Sequence, residues 1–360
     1  MGRHARRWRP VMKFFPSALW GRLRRPAPCN PPPAGRAPAT PHLLEWIRSG
    51  APMAGCDLSG ADLRGIVLDG VDLSGALLER ADMRGASLRG TLLRHALLTG
   101  ALLDGADCSG AQFDGACLDA SRAEHARLCG ASLRGVRAND AGWPGADLSD
   151  ACLDEFVAVG ITLSHAVLDR SRATAMVLLD ARAESSRWRG ARWDKVLALR
   201  AHLPRADFRQ TRLRACALNG ADLGGSTWQY AELEALQAAA GTDWHGAVLR
   251  GVRAVDSNFH GARLAGADLS GGRFVRTDFG SADLSGTSLD GAHFPFCSLI
   301  GARLQQARAS GADFARSICR RGDFAGAATE GARFAWPGIA TGDLSLVSRL
   351  ATGVPCAAGR

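Results

Sequence analysis

Tyrosine occurs once in 360 residues, at Tyr230, while glycine occurs 43 times. That balance does not suit the varied core of a large enzyme domain; it suits a narrow, repetitive one. The ten cysteines include no CxxC and no Cys/His cluster with zinc-site spacing. Neither a zinc module nor a disulfide scaffold is indicated, and the chain reads as reduced and cytoplasmic in type. Long hydrophobic runs are missing too. The apolar piece from Val11 to Trp20 is too short to span a bilayer and contains Lys13 and Pro16. It lacks a signal-peptide cleavage pattern, and Arg6 stands where a myristoylation signal would carry Ser or Thr.

Excess charge is absent from most of the chain. Residues 1–48 carry ten Lys or Arg against Glu45 alone, which accounts for the whole net charge of +9; residues 49–360 balance 34 basic against 34 acidic side chains. Contact with nucleic acid or an anionic membrane is therefore expected only through the basic leader, residues 1–40, with Trp8, Phe14, Phe15 and Trp20 as apolar contacts. Three readings of this leader stay open. It is a disordered arm of that kind, a secretion or targeting segment with membrane-surface association through residues 1–25, or a start-site artefact with translation beginning at Met12. Thr40 and Pro41 form an N-cap and first helical position. Leu43, Leu44, Trp46 and Ile47 then predict a short helix within residues 41–55 that covers the open end of a repeat array starting at Cys56.

That array has a five-residue period. It begins CDLSG ADLRG IVLDG VDLSG at Cys56 and runs to Trp336, with Gly241 as one extra residue. The third residue of each unit, the centre, is Leu at 29 and Phe at 9 of 56 positions; the first is Ala at 31. Chance does not hold such a register over this length, and the repeat overrides the prior of two globular domains. Period five fits neither an α-helix nor a two-residue strand alternation. The chain must turn regularly, with first and third residues inside and glycine at the corner. Pro144, Pro204 and Pro295 each come directly after a centre. Residues 337–360 lose the pattern and form a C-terminal cap or tail.

These units resemble the pentapeptide-repeat family, A(D/N)LxG. The resemblance implies an all-β fold, a right-handed quadrilateral β-helix with four units per coil. The sequence supplies a check: Phe274, Phe294, Phe314 and Phe334 are twenty apart, as are Trp188, Phe208 and Trp228, so each set becomes a stacked aromatic column. Large and small centres also compensate, as with Trp143 beside Ala138. About fourteen coils are expected, which at a strand spacing of roughly 4.8 Å gives a rod about 67 Å long.

No catalytic constellation is visible. Asp recurs because the unit places it before the centre, so it reads as a solvated repeat residue. His125 and His165 share a column two coils apart, and His245 and His260 fall on different faces. The chain is expected to be non-enzymatic, without cofactor, metal site or small-molecule substrate. Charge is more informative. Residues 166–215 hold twelve basic and five acidic groups. Arg172, Arg192 and Arg212 form one outward column; Arg253, Arg273 and His293 continue it past Glu232, and Arg189, Arg209, Arg214 and Lys195 lie beside it. Stacked like charges are unfavourable unless something neutralises them. The column is a candidate site for an anion or acidic partner; the alternative is a solvated face with stacked guanidinium planes bridged by Glu232.

Three functions are consistent with these features. One is a protein-binding rod or scaffold. The second is implied by the resemblance: some members mimic duplex DNA and modulate type II topoisomerase, protecting it from quinolones or toxins. This chain departs from them in its neutral body, its acidity spread over all faces, and its lack of a projecting loop or a C-terminal dimerisation helix. The third is a secretion-associated or effector role with the leader as targeting part.

Overall fold

The five-residue register becomes a hydrogen-bonded ladder. In the computed structural model, which describes residues 52–334, the residue before each centre pairs in parallel with its counterpart twenty residues on. This runs from Asp57↔Leu77 and Asp62↔Asp82 to Arg308↔Ala328, and the step at Gly241 makes Asp222 pair with Asp243. One unit, Ala76–Arg80, shows the hydrogen bonds. Leu77 N–H donates to Cys56 O in the preceding coil at 2.8 Å, while Leu78 and Arg80 N–H donate to Leu97 O and Thr99 O in the next coil at 2.7 and 2.9 Å. Ala81 N–H closes the corner on Leu78 O at 3.1 Å. The fourth residue's N–H is left out of the ladder.

That omission explains two features of the sequence. An Asp before the centre accepts the spare N–H two residues later: Ser59 N–H donates to Asp57 at 3.0 Å, Ser74 to Asp72 at 2.9 Å and Gly224 to Asp222 at 3.0 Å. Asp is thus a local cap rather than a merely solvated residue, the role its short side chain plays in Asx turns. The second feature is proline. Pro144, Pro204 and Pro295 occupy the position whose N–H is spare, and their carbonyls still accept from His125, Ser185 and Arg276 N–H at 3.0, 2.9 and 3.1 Å.

The fifth residue takes positive φ, as at Gly60 (68°), but also at Arg80 (55°), His125 (54°) and Asp140 (54°); at the step, Gly241 takes it in place of Ala240. Glycine is favoured there because an L side chain in this region costs about 1 kcal/mol or more. The ladder over-determines the corner strongly enough to hold other residues in it.

The chain forms two compact units. One comprises residues up to Arg182 with Trp193–Leu197, the other Ala183–Arg192 with the residues from Ala198 onward. The fourteen coils expected along the sequence are a count for one unbroken stack, and the chain divides into these two units instead. Strands are short: β1 Val157–Val159, β2 Arg172–Thr174, β3 Val177–Leu179, β4 Arg192–Asp194, β5 Arg212–Arg214, β6 Glu232–Glu234, β7 Arg253–Val255, β8 Arg273–Val275, β9 Asp313–Phe314 and β10 Arg333–Phe334. In the first unit β1 pairs with β3; in the second, β5 to β8 pair in order and β9 pairs with β10, all parallel. Among the described residues there is no helix. The helix expected within residues 41–55 falls almost wholly outside them, as do the leader and the C-terminal tail.

First and third positions fill the core, from Leu58 and Leu63 to Ala302 and Leu304. The expected aromatic columns are present in the second unit. Phe274, Phe294, Phe314 and Phe334 stack at successive centroid distances of 5.1, 5.0 and 5.0 Å. Trp188, Phe208 and Trp228 stack at 5.9 and 4.1 Å. Cys108, Cys297 and Cys319 are buried free thiols, each with its pKa pushed up to about 12 by burial, as inert core fillers require.

Candidate functional site

Arg172, Arg192, Arg212, Arg253 and Arg273 stand just before a centre, and Arg189, Arg209 and Arg214 just after one. Of the eight predicted arginines, Arg172 belongs to the first unit and the other seven to the second. Arg172 is exposed, and a hydrogen bond with the Cys152 thiol raises its pKa.

In the second unit four of the seven are neutralised. Arg212 pairs with Glu232 at 3.0 Å and Arg214 with Glu234 at 3.5 Å, partners placed opposite them by the β5–β6 register. Arg189 and Arg209 share Asp207, at 2.6 and 2.7 Å. Burial pushes the Asp207 carboxyl up, but hydrogen bonds from Arg209 and Arg189 outweigh it and hold the group below the usual range. Exposed pairs of this kind contribute at most about 1 kcal/mol each; their effect here is to quench the column's field.

Arg192, Arg253 and Arg273 have no ion pair among the described residues. Two of these three are neighbours: Arg253 on β7 lies opposite Arg273 on β8, and Arg273 lies opposite His293. All three side chains of this strip are exposed. The acids around the two arginines have other partners. Glu232 pairs with Arg212, Asp256 pairs with Arg276 at 2.6 Å, and Asp313, at the end of the strip, sits 3.8 Å from Arg333 and 3.9 Å from His293 of the strip itself. Two guanidinium groups on strands about 4.8 Å apart therefore face solvent without an ion pair of their own, and Glu232, in register opposite Arg253, is held by Arg212 on its other side.

Sequence columns located the arginines and Glu232, which pairs with Arg212, but missed the other two carboxylates that quench them. Glu234, one of the quenchers, lies after the centre rather than in the column. Asp207 is in an outward column of a different face. Its link to Arg209 is legible, because the residues before and after one centre point the same way. Some acids of the first unit are held in the same way: Arg64 holds Asp62 at 2.7 Å, Arg84 holds Asp82 at 2.6 Å and Arg89 holds Asp107 at 2.7 Å.

The profile of the family described as Pentapeptide repeats matches residues 49–85, 81–119, 200–227, 239–271, 257–294, 277–316 and 296–328, together more than half of the chain. No curated protein matches. Among solved structures, the chain is similar to HetL, a pentapeptide repeat protein involved in heterocyst differentiation regulation from the cyanobacterium Nostoc sp. strain PCC 7120. Identity is 22%, over 82% of this chain and 95% of that one, with a TM-score of 0.21. It is similar also to QnrB1, a plasmid-mediated fluoroquinolone resistance protein, at 18% identity over 71% and 97% of the two chains and a TM-score of 0.31. A pentapeptide repeat protein of the Arabidopsis thaliana thylakoid lumen matches at 26% identity over 37% and 77%, with a TM-score of 0.15.

Proposed function

The chain belongs to the pentapeptide-repeat family, and we propose that it works as a non-catalytic interaction solenoid whose partner presents acidic groups to the Arg253–Arg273–His293 strip. The carrying observation is the pair Arg253 and Arg273 in register on β7 and β8, neither in an ion pair among the described residues, with Glu232 held by Arg212 and Asp256 by Arg276. Like charges on neighbouring strands are unfavourable, and an acidic partner removes that cost while gaining charge-assisted hydrogen bonds. Arg192 extends the basic surface of the same unit. The partner class is a protein.

Crosslinking coupled to mass spectrometry tests this reading on the full chain and on the R253S/R273S variant. The expected outcome is a partner whose crosslinks map near β7 and β8 and fall at least tenfold in the variant. Crosslinks of equal yield in both proteins would remove the strip from the interaction. The other family role, topoisomerase modulation of the kind suggested by QnrB1's description as a fluoroquinolone resistance protein, needs an acidic face. Residues 56–165 carry more acidic than basic groups, but these are spread over all faces and gather on none, which favours the first reading. A gyrase supercoiling assay with and without a quinolone separates the two: the interaction reading expects no protection. A secretion role rests on the leader, and unchanged localisation after deleting residues 1–48 would dismiss it.

A further inference from the structure

The step at Gly241 brings together residues that the even period would keep apart. Gly241 takes a φ of 87°, and Thr242 just after it is buried, donating to Ala239 O at 2.6 Å and accepting from Gly220 N–H at 3.2 Å. The chain then re-enters the ladder one residue late, Asp243 N–H donating to Ala221 O at 2.9 Å and Leu223 N–H to Asp243 O at 2.7 Å. Asp222 and Asp243 are thus direct neighbours on adjacent strands.

Two carboxylates in that relation need a cation. The first unit shows how the fold ordinarily supplies one. Asp62 and Asp82 are also register neighbours, and the fourth residue of each unit is an arginine. Arg64 reaches both, at 2.7 and 3.8 Å, and its hydrogen bond lowers the Asp62 carboxyl to about 2; Arg84 holds Asp82. At Asp222 and Asp243 the equivalent fourth positions are Gly224 and His245. No guanidinium spans the pair. Instead an oxygen of Asp222, an oxygen of Asp243 and a ring nitrogen of His245 lie within 4.8 Å of one another.

The surroundings hold these three groups in place. Asp222 accepts from Gly224 N–H at 3.0 Å and Asp243 from His245 N–H at 3.0 Å, which fixes both carboxylates. His202, on the coil before, sits with Nδ1 2.9 Å from Asp222 Oδ2, as an outer ligand does for an inner one. The His245 ring lies in the notch above Gly224, where a Cβ would run into it. Gly224 does not have positive φ, so backbone conformation does not demand glycine there; the imidazole does. An ion would displace two contacts: Arg263, 3.4 Å from Asp243 Oδ2, and His245 Nδ1, 3.0 Å from Asp243 Oδ1.

We infer that Asp222, Asp243 and His245 form a binding site for a divalent cation of the zinc class, with His202 positioning Asp222 and Gly224 seating the imidazole. One imidazole nitrogen and two carboxylate oxygens make a borderline donor set, which selects zinc and its neighbours over calcium. Three protein ligands leave positions for water or for a ligand from a partner. The site belongs to the second unit alone and is independent of the arginine strip.

The test is titration of Zn2+ alone into the chelator-stripped full chain by calorimetry. One equivalent should bind at this site. H245Q and D243N should each weaken it at least tenfold; D243N keeps the oxygen that caps His245 N–H, so folding is preserved, and an unchanged urea midpoint without zinc confirms this. G224A, which displaces the ring, should weaken binding as well, and R263Q should tighten it. H260Q, at a His–Asp contact of 3.4 Å without a second carboxylate ligand, is the control and should change nothing. Substituted Co2+ should show d–d bands without a thiolate charge-transfer band, which excludes the cysteines. Absence of binding, binding unchanged in H245Q and D243N, or a thiolate band would each overturn the assignment.

Discussion

Replacing Trp228 by Ala is expected to destabilise the solenoid by about 3–5 kcal/mol, the range for removing a fully buried tryptophan. Trp228 has no measurable exposure. It stacks on Phe208 at 4.1 Å and meets Trp244 at 5.0 Å, so its removal opens a hole between two coils of fixed backbone spacing. The ladder hydrogen bonds on either side prevent the coils from closing onto the gap, so the cavity term is close to its full value. The indole N–H donates to Ser226 Oγ at 2.8 Å, and Ser226 keeps its own acceptor, Leu223 O, so no buried polar group is orphaned by the change. The loss is therefore one of packing. Tyr230→Ala, two residues on at a side chain 64% exposed, should stay within about 1 kcal/mol. Urea midpoints of the two variants check the contrast; equal midpoints would mean that the aromatic column does not carry the core.

Proline gives the second large effect, and it depends on position within the unit. Leu97 N–H donates to Ala76 O at 3.0 Å, whereas Thr99 N–H, two residues later on the same outward side, makes no hydrogen bond among the described residues. Leu97→Pro removes a ladder donor, strands the Ala76 carbonyl and forces the strand's φ, for at least about 3 kcal/mol in all. Thr99→Pro meets none of these obstacles. Its φ suits the residue before the positive-φ Gly100, as Pro144, Pro204 and Pro295 illustrate at equivalent positions, and it should fall within about 1 kcal/mol of the parent. Thermal unfolding of both proteins reads the difference, and loss of stability of similar size in both would refute this role for the corner.

The fold was nearly all legible in the sequence, because one short rule repeats. First and third residues point inward, the chain turns every five, and aromatic residues twenty apart stack; Phe274 to Phe334 obey that arithmetic. The site was legible in smaller part. Counting by twenty finds Arg253 opposite Arg273, but not which arginines are quenched. Glu234 and Asp207 act from outside the column, through side-chain reach that a column count ignores. The Asp222–Asp243–His245 group is hidden for a different reason. It straddles the extra residue, so no even spacing connects its members, and each Asp alone looks like an ordinary member of the repeat. Gly224 and His245 in place of arginines are the signal that would have found it.

The proposed function has Arg253 and Arg273 of the second unit, neither in an ion pair among the described residues, meet an acidic partner, and fluorescence anisotropy with a labelled poly-glutamate peptide, at low and at high salt, tests this most directly. The parent chain should bind the acidic peptide, bind a poly-lysine control weakly, and lose affinity steeply as salt rises. R253S/R273S should bind at least tenfold more weakly, and R212S, which frees Glu232 opposite Arg253, should also weaken binding, though less. Equal affinity of parent and R253S/R273S for the acidic peptide would contradict the account.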